Sequence, residues 1–102
     1  MLKMNKESIN IGVPDLNEEE LLEIIKYTED TIRNYIFSKI NPKFVDDFNL
    51  EIVLEKLEEL TVNINIELNF SNIEIPNANE IVNESLEIGV KALKEKVSSL
   101  KN

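Results

Sequence analysis

The stretch Leu60-Thr61-Val62-Asn63-Ile64-Asn65-Ile66-Glu67-Leu68-Asn69-Phe70 decides the fold. Apolar and polar residues alternate without a break, and because successive side chains of a β-strand point to opposite faces, Leu60, Val62, Ile64, Ile66, Leu68 and Phe70 share one face. Thr61, Asn63, Asn65, Glu67 and Asn69 make the other, the solvated side expected of an antiparallel sheet covered on one face only. Just upstream, Phe48, Leu50, Ile52 and Leu54 alternate in the same way, so a hairpin turning near Lys56 to Glu59 is the natural reading. The alternative is a helix, since Leu50, Val53, Leu54, Leu57 and Leu60 also satisfy helical spacing.

Two amphipathic helices flank the hairpin. Before it, Asn17 and Glu20 form a capping-box pattern with Leu16 and Leu21 as a staple, which starts a helix at about Glu18. Leu21, Ile24, Ile25, Thr28, Ile32, Tyr35 and Ile36 then fall in one stripe, with Glu29–Arg33 and Lys26–Asp30 as surface pairs one turn apart. Asn41-Pro42 ends the helix, because proline disfavours the α region for the residue before it. After the hairpin, Ile73 to Ile75 reads as a short strand before Pro76, and Asn77 with Glu80 repeats the cap pattern. The second helix, about Ala78 to Leu100, has a wide apolar arc. Val82, Leu86, Val90, Leu93, Val97 and Leu100 form one stripe, Ile81, Ile88 and Ala92 a second, and Ser85 and Gly89 lie between.

The expected fold is α+β: two antiparallel helices packed on one face of a small antiparallel sheet, in the order helix, β-hairpin, short strand, helix. Residues 15–102 form one domain and residues 1–14 a polar lead. Two strands make a narrow layer, and a third is expected either within the chain, from Ile9 to Val13 as an edge strand or from Ile73 to Ile75, or from another subunit by strand addition.

Composition restricts the chemistry. A 102-residue chain supports one core and buries roughly 60–65% of its unfolded surface. Twenty Asp and Glu against eleven Lys and Arg give a net charge of -9, which repels phosphate backbones and anionic lipid, so neither direct nucleic-acid binding nor membrane association is expected. The chain has neither cysteine nor histidine, which removes thiol nucleophiles, Ser/His catalysis and the usual zinc ligands. The carboxylates at Glu18, Glu19, Glu20 and at Asp46, Asp47 lack the spacing of a calcium loop, and Gly12 and Gly89 cannot make a phosphate-cradling loop. No catalytic residue, metal or cofactor is expected. Met1 to Asn10 has no apolar run of signal-peptide length and no later segment is long enough to span a bilayer, so the expected location is the cytoplasm.

What remains is surface for pairing. The wide arc of the second helix implies two neighbours, either the sheet and the first helix or another subunit, and Ser85, Gly89 and Ala92 would let one of them approach closely. Phe37 falls on the polar side of the first helix, where it is either folded under by Phe44 and Val45 or exposed beside Arg33 as an interface anchor. The candidate partner-binding residues are therefore Arg33, Phe37, Ile81, Ser85, Ile88, Gly89 and Ala92. A second class of function is a small carboxylate-based enzyme or ligand-binding module using Tyr27 or Lys39.

The capped run Leu16 to Leu22, the following Glu23-Ile24-Ile25-Lys26-Tyr27, the segment Arg33-Asn34-Tyr35-Ile36-Phe37-Ser38-Lys39, the hairpin and the closing helix together resemble a small archaeal family of acidic α+β proteins of unknown function. The resemblance covers roughly residues 15 to 100; the tail before Pro14 has no counterpart in it. It implies two helices on an antiparallel sheet and genes near those of the prefoldin beta subunit and the small dimerising subunit of the KEOPS complex. It further implies a fifth, accessory KEOPS subunit, a paralogue of that dimerising subunit, which pairs with it in the complex that installs threonylcarbamoyl on a tRNA adenosine while another subunit does the chemistry. A non-catalytic assembly subunit acting by heterodimerisation, or a homodimer in isolation, is the resulting expectation, with a prefoldin-associated protein as the weaker variant.

Overall fold

The computed structural model describes residues 2–12, 15–56, 58–70 and 77–101. The elements in order are β1 (Leu2–Asn10), α1 (Glu18–Lys39), a 3-10 turn at Pro42–Phe44, β2 (Val45–Lys56), β3 (Leu60–Phe70) and α2 (Ala78–Lys101). The three strands form one antiparallel sheet in the order β1-β3-β2, so the alternating stretch from Leu60 to Phe70 is its central strand.

Parity along β3 sets the layers. Leu60, Val62, Ile64, Ile66, Leu68 and Phe70 are each at most 3% exposed and face the helices, whereas the intervening Thr61, Asn63, Asn65 and Glu67 are half-buried and Asn69 is exposed. Val62, Ile64 and Leu68 pack with Ile24, Ile32 and Ile36 of α1 and Val82, Leu86 and Leu93 of α2 in one core. The helices are antiparallel: Tyr35 meets Glu84, Ile32 meets Gly89, and Tyr27 and Glu23 both meet Lys96. The α+β class and the two-helix layer are as the sequence implies.

The hairpin is as expected, and the segment from Leu50 to Lys56 is strand rather than helix. Backbone pairing with β3 runs from Val45 to Lys56, with an irregularity between Val45 and Asp47. Leu57 lies outside the described residues.

The third strand is a correction to the expected order. It comes from Leu2–Asn10, ahead of α1, and not from Ile9 to Val13 alone; Ile9 pairs with Val62, and beyond Asn10 the ladder continues with Ile11 N–H donating to the Leu60 carbonyl and Leu60 N–H to Gly12, at 2.9 and 2.7 Å. Gly12 makes this connection at φ +75°, a left-handed conformation that glycine adopts without steric cost. The polar lead thus belongs to the sheet, because a ladder is built from backbone groups that any residue but proline carries. The strand expected at Ile73 to Ile75 and the Pro76 that follows lie outside the described residues, as do Val13 and Pro14.

The caps fix the helix starts. Asn17 Oδ1 accepts from the Glu20 amide at 2.8 Å while Glu20 Oε1 accepts from the Asn17 amide at 3.0 Å, the reciprocal box expected from the sequence. At the other helix Asn77 sits at φ 66°, which asparagine tolerates, and its carbonyl accepts from the Ile81 amide.

Candidate functional site

The outer border of β2 is only partly covered among the described residues. Its helix-facing residues Phe48, Leu50, Ile52 and Leu54 sit opposite Leu68, Ile66, Ile64 and Val62, yet they stay half-buried while their β3 partners are sealed. The cause is position: β3 is covered on both flanks, whereas β2 has a strand on one side only. Phe37 of α1 closes part of the row, its ring edge-on to Phe48 at 5.3 Å and 81°. Twelve residues of β2 span about 40 Å at the usual strand rise, close to the 46 Å length of the molecule. Along that border no other strand pairs with β2 among the described residues.

Among the described residues, no helix lies on the opposite face of the sheet. By register, Asp47, Asn49, Glu51, Val53 and Glu55 of β2 align with Asn69, Glu67, Asn65, Asn63 and Thr61 of β3, and Lys6 and Ser8 of β1 align with Asn65 and Asn63. This face holds Val53 at 39% exposure, and Asn65 Nδ2 donates to Glu51 Oε1 at 3.0 Å. A shallow hollow of about 620 Å3 lies here, lined by Lys6, Ser8, Glu51, Val53, Glu55, Asn63 and Asn65 among others. Such a surface can hydrogen-bond an extended chain. Among the described residues no group of three or more Asp or Glu side chains is placed to hold a metal ion.

The partner-binding residues expected from the sequence are scattered. Ser85, Gly89 and Ala92 are buried, and they are withdrawn as partner contacts: Gly89 lies directly against Ile32, and Ser85 Oγ donates to the Val82 carbonyl at 2.6 Å. Gly89 serves the approach of α1 to α2 within the chain. Ile81 is half-buried against the core and Ile88 is half-buried. Arg33 is engaged on its own helix, with Glu29 at 2.8 Å and Asp30 at 3.6 Å, so the expected Lys26–Asp30 pair gives way to Arg33–Asp30. Phe37 is folded under as a satellite of the core, with the Phe48 ring edge-on to its own and Val45 packed against the same core.

Tyr27 and Lys39 do not converge. They stand twelve residues apart on α1, about 18 Å along its axis, with Lys96 over the Tyr27 ring at 5.5 Å and Lys39 over Tyr35 at 5.8 Å. Tyr35, on the apolar stripe of α1, is half-buried; its hydroxyl donates to the Glu84 carboxylate across the helix pair, and that bond raises the phenol pKa, with burial and the Glu84 charge adding to it.

Sequence reasoning missed the β2 border because both hairpin strands alternate alike. One signal separates them: the outward row of β2 carries Asp47, Glu51 and Glu55, the charges by which edge strands resist indiscriminate pairing, while that of β3 is mostly Asn and Thr.

Solved structures share this architecture. A crystal structure of a protein from Thermococcus onnurineus NA1 superposes with a TM-score of 0.81 at 24% identity, covering 96% of this chain and 95% of that one. The solution structure of a hypothetical protein from Methanothermobacter thermautotrophicus gives 0.71 at 24% identity, covering 88% and 98%. In sequence the chain is similar to uncharacterised proteins of Pyrococcus furiosus, 24% identical over 97 residues, and Thermococcus kodakarensis, 20% identical over 94, spanning 95% and 92% of this chain and 87% of each relative. Residues 13–96 match the model of the family described as "Protein of unknown function (DUF3194)", and the chain belongs to that small family of uncharacterised archaeal proteins.

Proposed function

We propose that the chain is a non-catalytic accessory subunit that acts by pairing with another protein along the β2 border. The observation that carries this reading is the half-covered row Phe48, Leu50, Ile52 and Leu54 beside a strand border left without a neighbouring strand among the described residues. Apolar surface at an unpaired border is stabilised when a further strand covers it, and strand addition supplies main-chain hydrogen bonds at the same time. Acidic composition and the lack of histidine and cysteine fit such a role.

The family resemblance supplies the assembly: KEOPS, with its small dimerising subunit as the partner. The molar mass of the purified chain in solution, alone and mixed with that subunit, tests the proposal. A one-to-one complex is the expected result. A lone monomer at every concentration, with no complex formed, would remove the reading.

A second reading, a ligand-binding module, is favoured by one feature, the hollow between Lys6, Glu51, Glu55, Asn63 and Asn65. Its volume lies within the range of small-molecule sites, but it is shallow and lined as much by polar as by apolar surface, where such sites are enclosed and mostly apolar.

A further inference from the structure

We infer that the β2 border selects an extended segment of another protein in which apolar residues alternate with Lys or Arg. This rests on the pairing role just proposed and specifies the chemistry of the partner. A strand laid beside β2 must satisfy two rows at once, because its side chains alternate between the faces of the sheet. Residues opposite Phe48, Leu50, Ile52 and Leu54 turn toward the helices and must be apolar to finish the cover. Residues opposite Asp47, Glu51 and Glu55 turn to the bare face and meet carboxylates.

Opposite charges facing each other across a strand pair stabilise it and like charges destabilise it, so the second row favours Lys or Arg. Glu51 and Glu55 stand about 13 Å apart along the strand with Val53 between them, so the complementary row reads basic, β-branched, basic. The bare face as a whole carries Asp47, Glu51, Glu55 and Glu67 against Lys6, which extends the same preference beyond the border.

Neither strand edge of a second copy fits. A β2–β2 pair brings carboxylate rows together on the bare face. The β1 edge offers Lys6, but its register puts Glu7 opposite Ile64, on the helix-facing side, where the incoming strand must be apolar. The border therefore discriminates against self-pairing while remaining open to a basic, alternating strand, the combination of attraction and repulsion from which specificity arises.

The test uses the full chain and two blocked heptapeptides, Val-Lys-Val-Thr-Val-Lys-Val and the same sequence with Glu in place of Lys. Wild type is expected to bind the Lys peptide at least tenfold more tightly than the Glu peptide and to slow amide hydrogen exchange in β2. Glu51→Lys/Glu55→Lys is expected to reverse the preference, and Glu51→Gln/Glu55→Gln, which retains strand shape if the reversal disturbs folding, to reduce it below threefold. Glu18→Lys/Glu19→Lys, the same charge change on α1, is expected to leave the preference intact. The inference is overturned by absence of binding, by a preference that survives the β2 substitutions, or by equal loss in the α1 control. A one-to-one complex with the proposed subunit that is indifferent to Glu51→Lys/Glu55→Lys would overturn it while leaving the pairing role standing; absence of any complex would remove the role itself.

Discussion

A Cβ placed on Gly89 of α2 would lie 2.6 Å from both Cδ1 and Cγ1 of Ile32 on α1, so the two helices meet side chain to backbone at that point. Real Cβ atoms do not approach so closely, and Ile32 is fully buried with little room to yield.

Gly89→Ala should consequently lower stability by up to about 2 kcal/mol, because overpacking of about 1–3 kcal/mol opposes the roughly 1 kcal/mol of helix propensity gained. Urea unfolding measures it. Ile32→Val in the same chain removes Cδ1 and should recover part of the loss, giving a double mutant more stable than additivity predicts. A stabilised Gly89→Ala protein would show that the helices are not in this contact.

The parity of β3 sets a sharp contrast between neighbours on the sheet. Ile64→Ala empties a position that is 0% exposed and should cost about 2–5 kcal/mol, whereas Val53→Ala, on the bare face, should stay within about 0.5 kcal/mol. Chemical denaturation of both variants checks this. Comparable losses would mean that Val53 is covered in solution by another surface.

The capping box at α1 satisfies two backbone donors reciprocally. Asn17→Ala removes the acceptor for the Glu20 amide and should cost about 1 kcal/mol, while Asn17→Asp should hold the wild-type midpoint within a few tenths. If thermal midpoints for the two substitutions coincide, the cap is not contributing.

The Tyr35 phenol donates to Glu84, and its pKa in the folded chain is raised above the ordinary value of about 10. A group whose folded pKa is raised stabilises the fold fully below its unfolded pKa and loses that contribution as pH climbs through the folded value. Comparing melting temperatures of wild type and Tyr35→Phe from pH 8 to 11.5 isolates it, since the two proteins differ only in that hydroxyl. The advantage of wild type should be constant to about pH 9.5 and shrink above it. A gap unchanged across the range would mean that the Tyr35–Glu84 bond is not populated.

Much of the architecture could be read from letters alone because it is written in local periodicity. Leu60 to Phe70 repeats with a period of two, Ile24 to Ile36 with the helical period, and Asn17 with Glu20 marks a start; each signal is complete within a dozen residues. The same locality explains why Phe37 stayed open between a ring folded under the sheet and an exposed anchor. A helical wheel places it among Lys26, Asp30 and Arg33, and only the folding of β2 beneath α1 brings the Phe48 ring to its edge.

The sequence by itself determined the period of each element, the apolar face of β3, the capped start of α1 and the lack of histidine and cysteine chemistry, because these depend on a residue and its near neighbours along the chain. Only the assembled fold settled that Leu2–Asn10 completes the sheet, that β3 is central and β2 peripheral, that Gly89 abuts Ile32 of α1, and that Ser85 and Ala92 are buried. Those outcomes turn on which backbones pair and which surfaces cover which across long separations, and backbone amides and carbonyls are nearly the same in every residue.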